Sequence, residues 1–528
     1  MVEIVELILG SLVLVAGLAL VARKIQVPYP ILLVVGGLVI GLVPGLPRIR
    51  LAPDLVFVLF LPPLLFPAAL FTSWRDFRAN IRPISLLAVG LVLVTTVVIG
   101  LLTHYWTGLP LAATFVLGAI VSPPDAVAAT AIAERLRVPR RVVTILEGES
   151  LVNDATAFVC YRFAVAAVVT GTFSMVHAGA RFIAVAAGGT VVGLLVGSIT
   201  AWIHRRLDDP PVHTTISLLT PFVAYLLAER VGVSGILAVV VAGLYLGWRS
   251  PEISSSRVRL LTYPVWEMVV FLLNGLIFVL IGLQLPEVTG GLAGHSTGAL
   301  CWLALRVSVA VIVVRIVWVF VATYVPRWAS LRIRKKDPYP GWRNVSVVAW
   351  TGMRGVDSLA AAMAVPFTIQ DGSPFPGRNL ILFLTFTVIF ATLVLQGLSL
   401  PSIIRLLKVV DDGITDKEER IARIKANQAA LAHVDESRDH IDPKVIDHLR
   451  VEYEDRLRQL EVGDGSNVDG QNGRSAYRRL SQEALEVERR VILQLRNERV
   501  INDEVLRRIQ HDIDLAEARL RHSDRLPS

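Results

Sequence analysis

The sequence predicts an all-α polytopic membrane protein with thirteen transmembrane helices and a helical cytoplasmic tail. Hydrophobic residues make up 54% of the 528 residues, and the mean hydropathy is +0.59. That composition excludes a soluble globular protein of any common class. After Leu400-Pro401 the apolar segments stop and charged segments take over, which marks the start of the tail.

Thirteen segments are apolar over about the 20 residues that a helix needs to cross the hydrocarbon core. They are about residues 4–22, 28–46, 54–72, 83–104, 110–134, 141–168, 179–203, 212–229, 233–248, 262–285, 298–325, 343–367 and 379–400. We therefore predict a transmembrane domain over residues 1–405 and a cytoplasmic helical domain over residues 411–528. Within the tail, charged helices are expected over 415–461 and 476–523, the second with apolar positions at helical spacing.

The charges of the loops predict the orientation. An odd number of spans places the termini on opposite sides, and the loops of one side hold twenty Lys and Arg residues against five on the other. Because cytoplasmic loops carry the excess of positive charge, the N-terminus is expected outside and the C-terminus in the cytoplasm. The predicted location is the plasma (inner) membrane, which the chain crosses many times.

Charge is unevenly distributed along the chain. Residues 411–528 hold 21 Lys and Arg and 26 Asp and Glu, a balance of −5, whereas residues 1–410 carry +13. Positive loops beside a bilayer meet anionic lipid, so membrane lipids are expected partners and nucleic acid is not. Cys160 and Cys301 both lie in apolar runs, which argues against a disulfide framework or a thiolate metal site.

The order of the spans predicts two inverted six-helix repeats. If the seventh span is a connector, spans one to six and eight to thirteen form the two halves, and spans five and twelve occupy equivalent positions. Span five contains Ser122-Pro123-Pro124-Asp125 at its middle, where two prolines remove two amide donors and should unwind the helix. Span twelve contains Thr351-Gly352-Met353-Arg354-Gly355, where glycines flank a cation. We expect these two unwound helices to cross.

Acidic residues lie at membrane depth between Val121 and Ala164. A charge there is costly unless it is paired or lines a water-filled path, which makes such residues functional candidates. Asp154 lies about 20 Å beyond the start of span six at 1.5 Å per residue, and we expect Asp125 and Arg354 at a similar depth. Ser150 and Asp154 are four residues apart and share a helix face.

These residues suit the alternate binding of a small hard cation and a proton. Na⁺ prefers oxygen ligands, which carboxylate, hydroxyl and amide groups and freed backbone carbonyls supply. A proton and a metal ion compete for one buried carboxylate, for which Asp154 is the candidate. Arg354 never loses its proton and needs a fixed partner, for which we predict Glu149, in a structural ion pair. Glu147 and Asp357 are accessory candidates.

Five motifs resemble the monovalent cation:proton antiporter-1 family, the sodium/proton exchangers, and more closely its bacterial branch with a cytoplasmic helical tail. The motifs are L-P-P-L-L-F at Leu61–Phe66, S-P-P-D-A-V-A at Ser122–Ala128, E-G-E-S-L-V-N-D-A at Glu147–Ala155, F-L-L-N-G-L-I-F-V-L-I-G-L-Q at Phe271–Gln284 and G-M-R-G at Gly352–Gly355. Together they cover most of residues 1–405 in the order that the family has.

The resemblance implies a homodimer with an elevator-like movement of a six-helix core, a role in pH homeostasis and no cofactor. It assigns ion and proton binding to Asp154 with Asn153, Asp125 and Ser150, with Asp154, Asp125 and Ser150 as ligands of the transported Na⁺. It implies the stabilising pair of Glu149 and Arg354. Asn153 before Asp154 resembles the electroneutral branch of the family. Pro67, Pro124 and Asp357 depart from the family pattern.

The leading hypothesis is therefore secondary active exchange of cytoplasmic Na⁺ or Li⁺ for an external proton. A K⁺/H⁺ antiporter on the same scaffold is the first alternative, because sequence does not give the size of an ion site. A pH-gated membrane sensor or channel, with the tail as its output, is the second; the partner of the tail is unknown. An enzyme is not expected, since no phosphate-binding loop, HExxH or GxSxG motif is placed for catalysis.

Overall fold

The computed structural model describes residues 2–25, 29–41, 53–171, 175–290, 292, 296–411, 413–436 and 443–461, and isolated positions between 485 and 515. The chain divides into two compact units, residues 1–410 and 411–528. The described residues are helical and connected by short turns, apart from one isolated β-bridge between Thr368 and Pro374. The all-α prediction is confirmed for this part of the chain.

The first unit contains eighteen described α-helices and one π-helical stretch. They are α1 Val2–Ile25, α2 Tyr29–Gly41, α3 Pro53–Phe71, α4 Trp74–Ala79, α5 Ile81–Ser85, the π-helical stretch Leu86–Leu91, α6 Val92–Thr107, α7 Leu111–Ile120, α8 Val127–Arg135, α9 Arg140–Thr170, α10 Met175–His204, α11 Pro210–Val231, α12 Gly235–Ile253, α13 Ser256–Gly290, α14 Thr297–Ala329, α15 Leu331–Lys336, α16 Trp342–Trp350, α17 Val356–Met363 and α18 Arg378–Leu406.

Eight helices of the described part are long and apolar enough to cross a membrane. They are Ile81–Thr107, which joins α5, the π-helical stretch and α6, with Arg140–Thr170, Arg181–His204, Pro210–Val231, Gly235–Ile253, Arg257–Leu280, Thr297–Ala329 and Arg378–Leu406. Four shorter apolar helices lie at Leu9–Ala22, Ile31–Gly41, Val58–Phe71 and Leu111–Ile120. The predicted twelfth span is divided between α16 and α17, and the total of thirteen spans stays a prediction.

Helix ends follow the local sequence. Asp209 caps α11 by accepting a hydrogen bond from the Val212 amide, and prolines fill the first two positions of that helix. Those positions tolerate proline because their amides have no partner within the helix. Gly171 and Gly232 end α9 and α11 with φ of +69° and +77°, a left-handed conformation that glycine adopts without steric cost.

The helices of the first unit pack as two bundles. Bundle A consists of α4 to α9 with α14 to α18, and bundle B consists of α1 to α3 with α10 to α13. Within bundle A, α9 packs closely against α7 and the π-helical stretch; within bundle B, α13 packs against α2 and α10 packs against α12. Contacts between the bundles, such as those of α9 with α12 and α3, are lighter. Each bundle therefore holds together mainly through its own helices.

The second unit contains α19, Ile414–Glu436, and α20, Pro443–Glu461. Ion pairs one turn apart, between Arg456 and Glu452 and between Arg450 and Glu454, line the surface of α20. The sequence predicted helix across 415–461, and the structure describes two helices there with residues 437–442 outside its description. Most of the helix predicted over 476–523 also lies outside the described residues.

Candidate functional site

Two interrupted helices meet inside bundle A. The chain leaves the helix between α7 and α8 at residues 121–126, and between α16 and α17 at residues 351–355. The predicted unwinding is present at both places. The amide of Asp125 donates to the carbonyl oxygen of Met353 at 2.7 Å, so the two non-helical segments are bonded directly to each other.

Arg354 donates hydrogen bonds to backbone carbonyls of the two non-helical segments. Its Nε donates to the carbonyl oxygen of Val121 at 3.0 Å, and Nη1 donates to the carbonyl oxygen of Gly352. The last carbonyls of a helix have no partner within it and carry partial negative charge. A fully buried guanidinium thus satisfies a carbonyl at the end of α7 and a carbonyl in the non-helical segment after α16.

Glu149 forms its ion pair with Arg315 of α14, not with Arg354. The two guanidinium nitrogens of Arg315 lie 2.6 Å and 3.1 Å from the two oxygens of Glu149, and both side chains are buried. The predicted pairing of Glu149 with Arg354 is therefore wrong. The physical reason is that backbone carbonyls take up Arg354, while Gly352 leaves room for Arg315; a Cβ there would lie 2.3 Å from the Cδ of Arg315.

Side chains of α9 bind the unwound backbone beside α8. Asn153 is fully buried and donates through Nδ2 to the carbonyl oxygen of Pro124 at 2.8 Å. The hydroxyl of Ser150 accepts a hydrogen bond from the amide of Ala126 at 3.4 Å. Asn153 and Ser150 therefore hold the break against α9, which places the neighbouring Asp154 beside it.

Three carboxyl groups lie around this point. Asp154 is buried, with 2% of its surface exposed, and its carboxyl is close enough to that of Asp357 in α17 to share a hydrogen bond. Such a bond requires one proton between the two groups, since ionised carboxylates only accept. Asp125 is the third carboxyl group, and its charge acts on both of the others. It lies against Gly355, where a Cβ would be 1.9 Å from Oδ2 of Asp125.

Several oxygens at the site lack a hydrogen-bond donor among the described residues. With both acids ionised they are Oδ2 of Asp154 and Oδ1 of Asp357, together with Oδ1 of Asn153. Buried polar oxygens without a donor are unfavourable and can be satisfied by a proton or a hard cation. In the described part of the chain, no group of three His, Cys, Asp or Glu side chains, the three carboxyl groups of this site included, could by itself hold a metal ion.

Three more residues bear on the site: the candidate Glu147, and Arg315 and Thr392. Glu147 is half-buried, seven residues before Asp154, and the neighbouring charge that acts on its carboxyl is that of Glu134. Sequence reasoning did not assign roles to Arg315 or to Thr392, whose hydroxyl accepts from the amide of Arg354 at 3.1 Å. An arginine in the middle of the apolar α14 was the available signal for Arg315. A threonine in an apolar helix gives no such signal.

Comparisons with known proteins agree on one family. The description "Sodium/hydrogen exchanger, transmembrane" matches residues 10–406. The chain is 37% identical over 532 residues to an uncharacterized Na⁺/H⁺ exchanger of Mycobacterium tuberculosis, covering 97% of each. It is 37% identical over 413 residues to a sodium, potassium, lithium and rubidium/H⁺ antiporter of Bacillus pumilus, covering 76% of this chain and 61% of that relative.

A solved structure shows the same fold. The chain matches a sodium proton antiporter from Methanocaldococcus jannaschii with a TM-score of 0.62 and 23% identity, covering 76% of this chain and 98% of the other. At 23% identity the match shows only that the two proteins share the arrangement of their helices.

Proposed function

Because the chain belongs to the sodium/hydrogen exchanger family, we propose that it is a secondary active antiporter that exchanges cytoplasmic Na⁺ or Li⁺ for an external proton. The observation that carries the proposal is the buried carboxyl of Asp154, which lies at the meeting point of the two interrupted helices. The family membership supports antiport, and the geometry supports Asp154 as the group that binds both ions.

The chemistry is competition for one set of oxygens. In one loaded form Asp154 holds a proton, which it shares with Asp357. In the other, Na⁺ replaces the proton and takes oxygens of Asp154, Asp125 and the Ser150 hydroxyl, with the amide oxygen of Asn153 beside them. An empty buried carboxylate is unfavourable, so the protein changes conformation only with a load. Glu149 and Arg315 hold the helices of the site together without binding the ion.

One proton is exchanged for one Na⁺ in this scheme. With one shared proton, the three carboxyl groups of Asp154, Asp357 and Asp125 carry a net charge of −2 (three negative charges and one positive), and with one Na⁺ in place of the proton they carry the same. The loaded site therefore has equal charge in both directions, which supports an electroneutral exchange. Asp357 is an accessory carboxyl here, and Glu147 is a candidate for ion entry from the end of α9 at Arg140.

Alternating access would follow from movement of bundle A relative to bundle B. The ion site lies wholly in bundle A, and the lighter packing between the bundles supports a sliding, elevator-like step. As the motif resemblance implies, we propose a homodimer in the plasma membrane, with the N-terminus outside and the C-terminus in the cytoplasm. Such exchange would serve pH homeostasis.

Potassium is the second candidate for the transported ion. The Bacillus pumilus relative is named for sodium, potassium, lithium and rubidium exchange, which favours a site that accepts larger cations. Exchange in proteoliposomes with Na⁺, Li⁺ or K⁺ as the only cation would decide between the two substrates through the apparent KM of each.

The test of the function is the change Asp154→Asn. The amide of asparagine keeps the shape of the side chain and can neither take up the proton nor supply a charged ligand. We expect proton-gradient-driven Na⁺ flux in proteoliposomes to fall to the level of protein-free vesicles, while the elution profile of the purified protein stays normal. Asp371→Asn, the same change in an exposed turn, is the matched control. Flux that survives Asp154→Asn would refute the assignment.

A further inference from the structure

An ion pair joins the helix of the ion site to the opposite bundle. Arg162 lies on α9, eight residues or about 12 Å beyond Asp154 along the helix, on the side away from Arg140. Its Nη2 donates to both carboxylate oxygens of Glu229 near the end of α11, at 2.8 Å each.

The pair of Arg162 and Glu229 crosses from bundle A to bundle B. α9 belongs to bundle A and α11 to bundle B, whereas the ion pair of Glu149 and the ion pairs of Asp337 lie within bundle A. Beside the pair is a cavity with a volume of about 150 Å³, lined by residues of both bundles, among them Phe158 on α9 and Tyr225 on α11. The bundles are thus tied by charge at a place where their packing is incomplete.

The exposure of the pair suits a contact that opens and closes. The side chains of Arg162 and Glu229 are 49% and 29% exposed and line the cavity, so each has room to move when they separate. Exposed ion pairs are individually weak. The buried pair of Glu149 and Arg315, with 2% and 0% exposure, has no such room and must persist.

We propose that Arg162 and Glu229 form a latch that holds bundle A against bundle B in the conformation described here and opens in every transport cycle. The proposal rests on the antiport function and adds two positioning residues to it. Neither residue contacts the ion site, so the latch controls the rate of the conformational step and leaves ion binding at Asp154 in place.

The test is a reversible cross-link across the latch. Cysteines at both positions, Arg162→Cys and Glu229→Cys, are introduced into a parent in which Cys160 and Cys301 are replaced by alanine. A short bis-methanethiosulfonate reagent is used, because two long side chains separate the backbones beyond the reach that a direct disulfide requires. Two quantities are measured before and after cross-linking: Na⁺ exchange in proteoliposomes and equilibrium binding of radioactive Na⁺.

We expect the cross-link to lower exchange at least about tenfold, with recovery on reduction, since a conformational step limits turnover. Na⁺ binding should stay within about threefold of the reduced protein, because binding and turnover report different steps. The matched control links α11 to α13 inside bundle B through Thr214→Cys and Thr262→Cys, whose native hydroxyls are 2.9 Å apart. This control should exchange normally when cross-linked.

The outcomes separate the latch from the function on which it rests. Unchanged exchange across the cross-linked latch would refute the latch alone, as would loss of Na⁺ binding together with exchange. A parent that neither binds nor exchanges Na⁺, Li⁺ or K⁺ would refute antiport and the latch with it. As a second variant, the charge reversal Arg162→Glu with Glu229→Arg should restore the turnover that either single reversal lowers, and failure of that rescue in a folded protein would contradict the latch.

Discussion

Two buried guanidinium groups in bundle A, those of Arg315 and Arg354, have different hydrogen-bond partners. Arg315 has a carboxylate, Glu149, and also donates to the carbonyl oxygen of Val348 at 3.1 Å. Arg354 donates hydrogen bonds to the backbone carbonyls of Val121 and Gly352. The partner of Arg315 is a side chain, which a substitution can remove. The partners of Arg354 are backbone carbonyls, which a substitution leaves in place. The Arg315 pair is therefore the one that a single substitution can break.

We expect Glu149→Gln to destabilise the protein by about 3–5 kcal/mol, because it leaves the buried charge of Arg315 without a counter-charge. Thermal unfolding of the purified protein in detergent measures the loss. The matched control is Glu229→Gln, which breaks an exposed Arg–Glu pair and should cost only about 0.2–1 kcal/mol.

The double variant Glu149→Gln with Arg315→Gln tests the cause. If the loss comes from the unpaired charge, removal of both partners should cost clearly less than the sum of the two single changes. Additive losses would mean that the two side chains act independently and would contradict the pairing.

At the scale of helices, the site depends on a contact between α18 and the non-helical segment before α17. The amide of Arg354 donates to the hydroxyl of Thr392 at 3.1 Å, and that hydroxyl donates back to carbonyls of its own helix. Residues 351–355 have left the helix, so their amides need acceptors from elsewhere. Thr392 therefore fixes the position of the segment that follows α16.

We expect Thr392→Val to cost about 1–3 kcal/mol, because it leaves a buried amide without an acceptor, and to lower exchange as the segment moves. Thr387→Val on the same helix is the control, since the Thr387 hydroxyl donates to the carbonyl of Leu384 in its own helix. Unfolding midpoints and exchange rates of the two variants provide the comparison. Equal effects would show that Thr392 also serves only its own helix.

The sequence predicted the elements of the site better than their contacts. Pro123 and Pro124 predicted the break after α7 because proline cannot donate to a helix. The partner of Glu149 could not be predicted in this way. α14 is apolar around most of its circumference, so its periodicity does not show which face meets α9. The same limitation concealed the pairing of Arg162 with Glu229.

At the scale of the whole membrane unit, one acid fastens three long helical elements of bundle A. Asp337, in the loop after α15, lies 2.8 Å from Arg82 of α5, 2.7 Å from Arg141 of α9 and 2.7 Å from Arg327 of α14. Burial opposes its charge, but hydrogen bonds and charges of Arg141 and Arg327 outweigh this and hold the pKa of the Asp337 carboxyl below its usual range. The fastening lets bundle A move as one body.

The lowered pKa of Asp337 predicts that its contribution to stability decreases in acid. A carboxyl whose folded pKa is below its unfolded value stabilises the protein above about pH 4, and the contribution is lost as pH falls through the folded pKa. The difference in thermal midpoint between wild type and Asp337→Asn should therefore be constant near neutral pH and shrink in acid. A difference that grows in acid would contradict the account.

The separation of Glu149 from Arg315 along the chain has a consequence for biosynthesis. They are 166 residues apart, and at about 5–20 residues per second a ribosome needs roughly 8–33 s to make the second after the first. During this interval Glu149 has no Arg315 to pair with, so we expect α9 to be synthesised early but to pack into bundle A only after α14 is made. Nascent chains arrested before Arg315 should leave residues of α9 open to a membrane-impermeant label, and chains arrested after α14 should protect them.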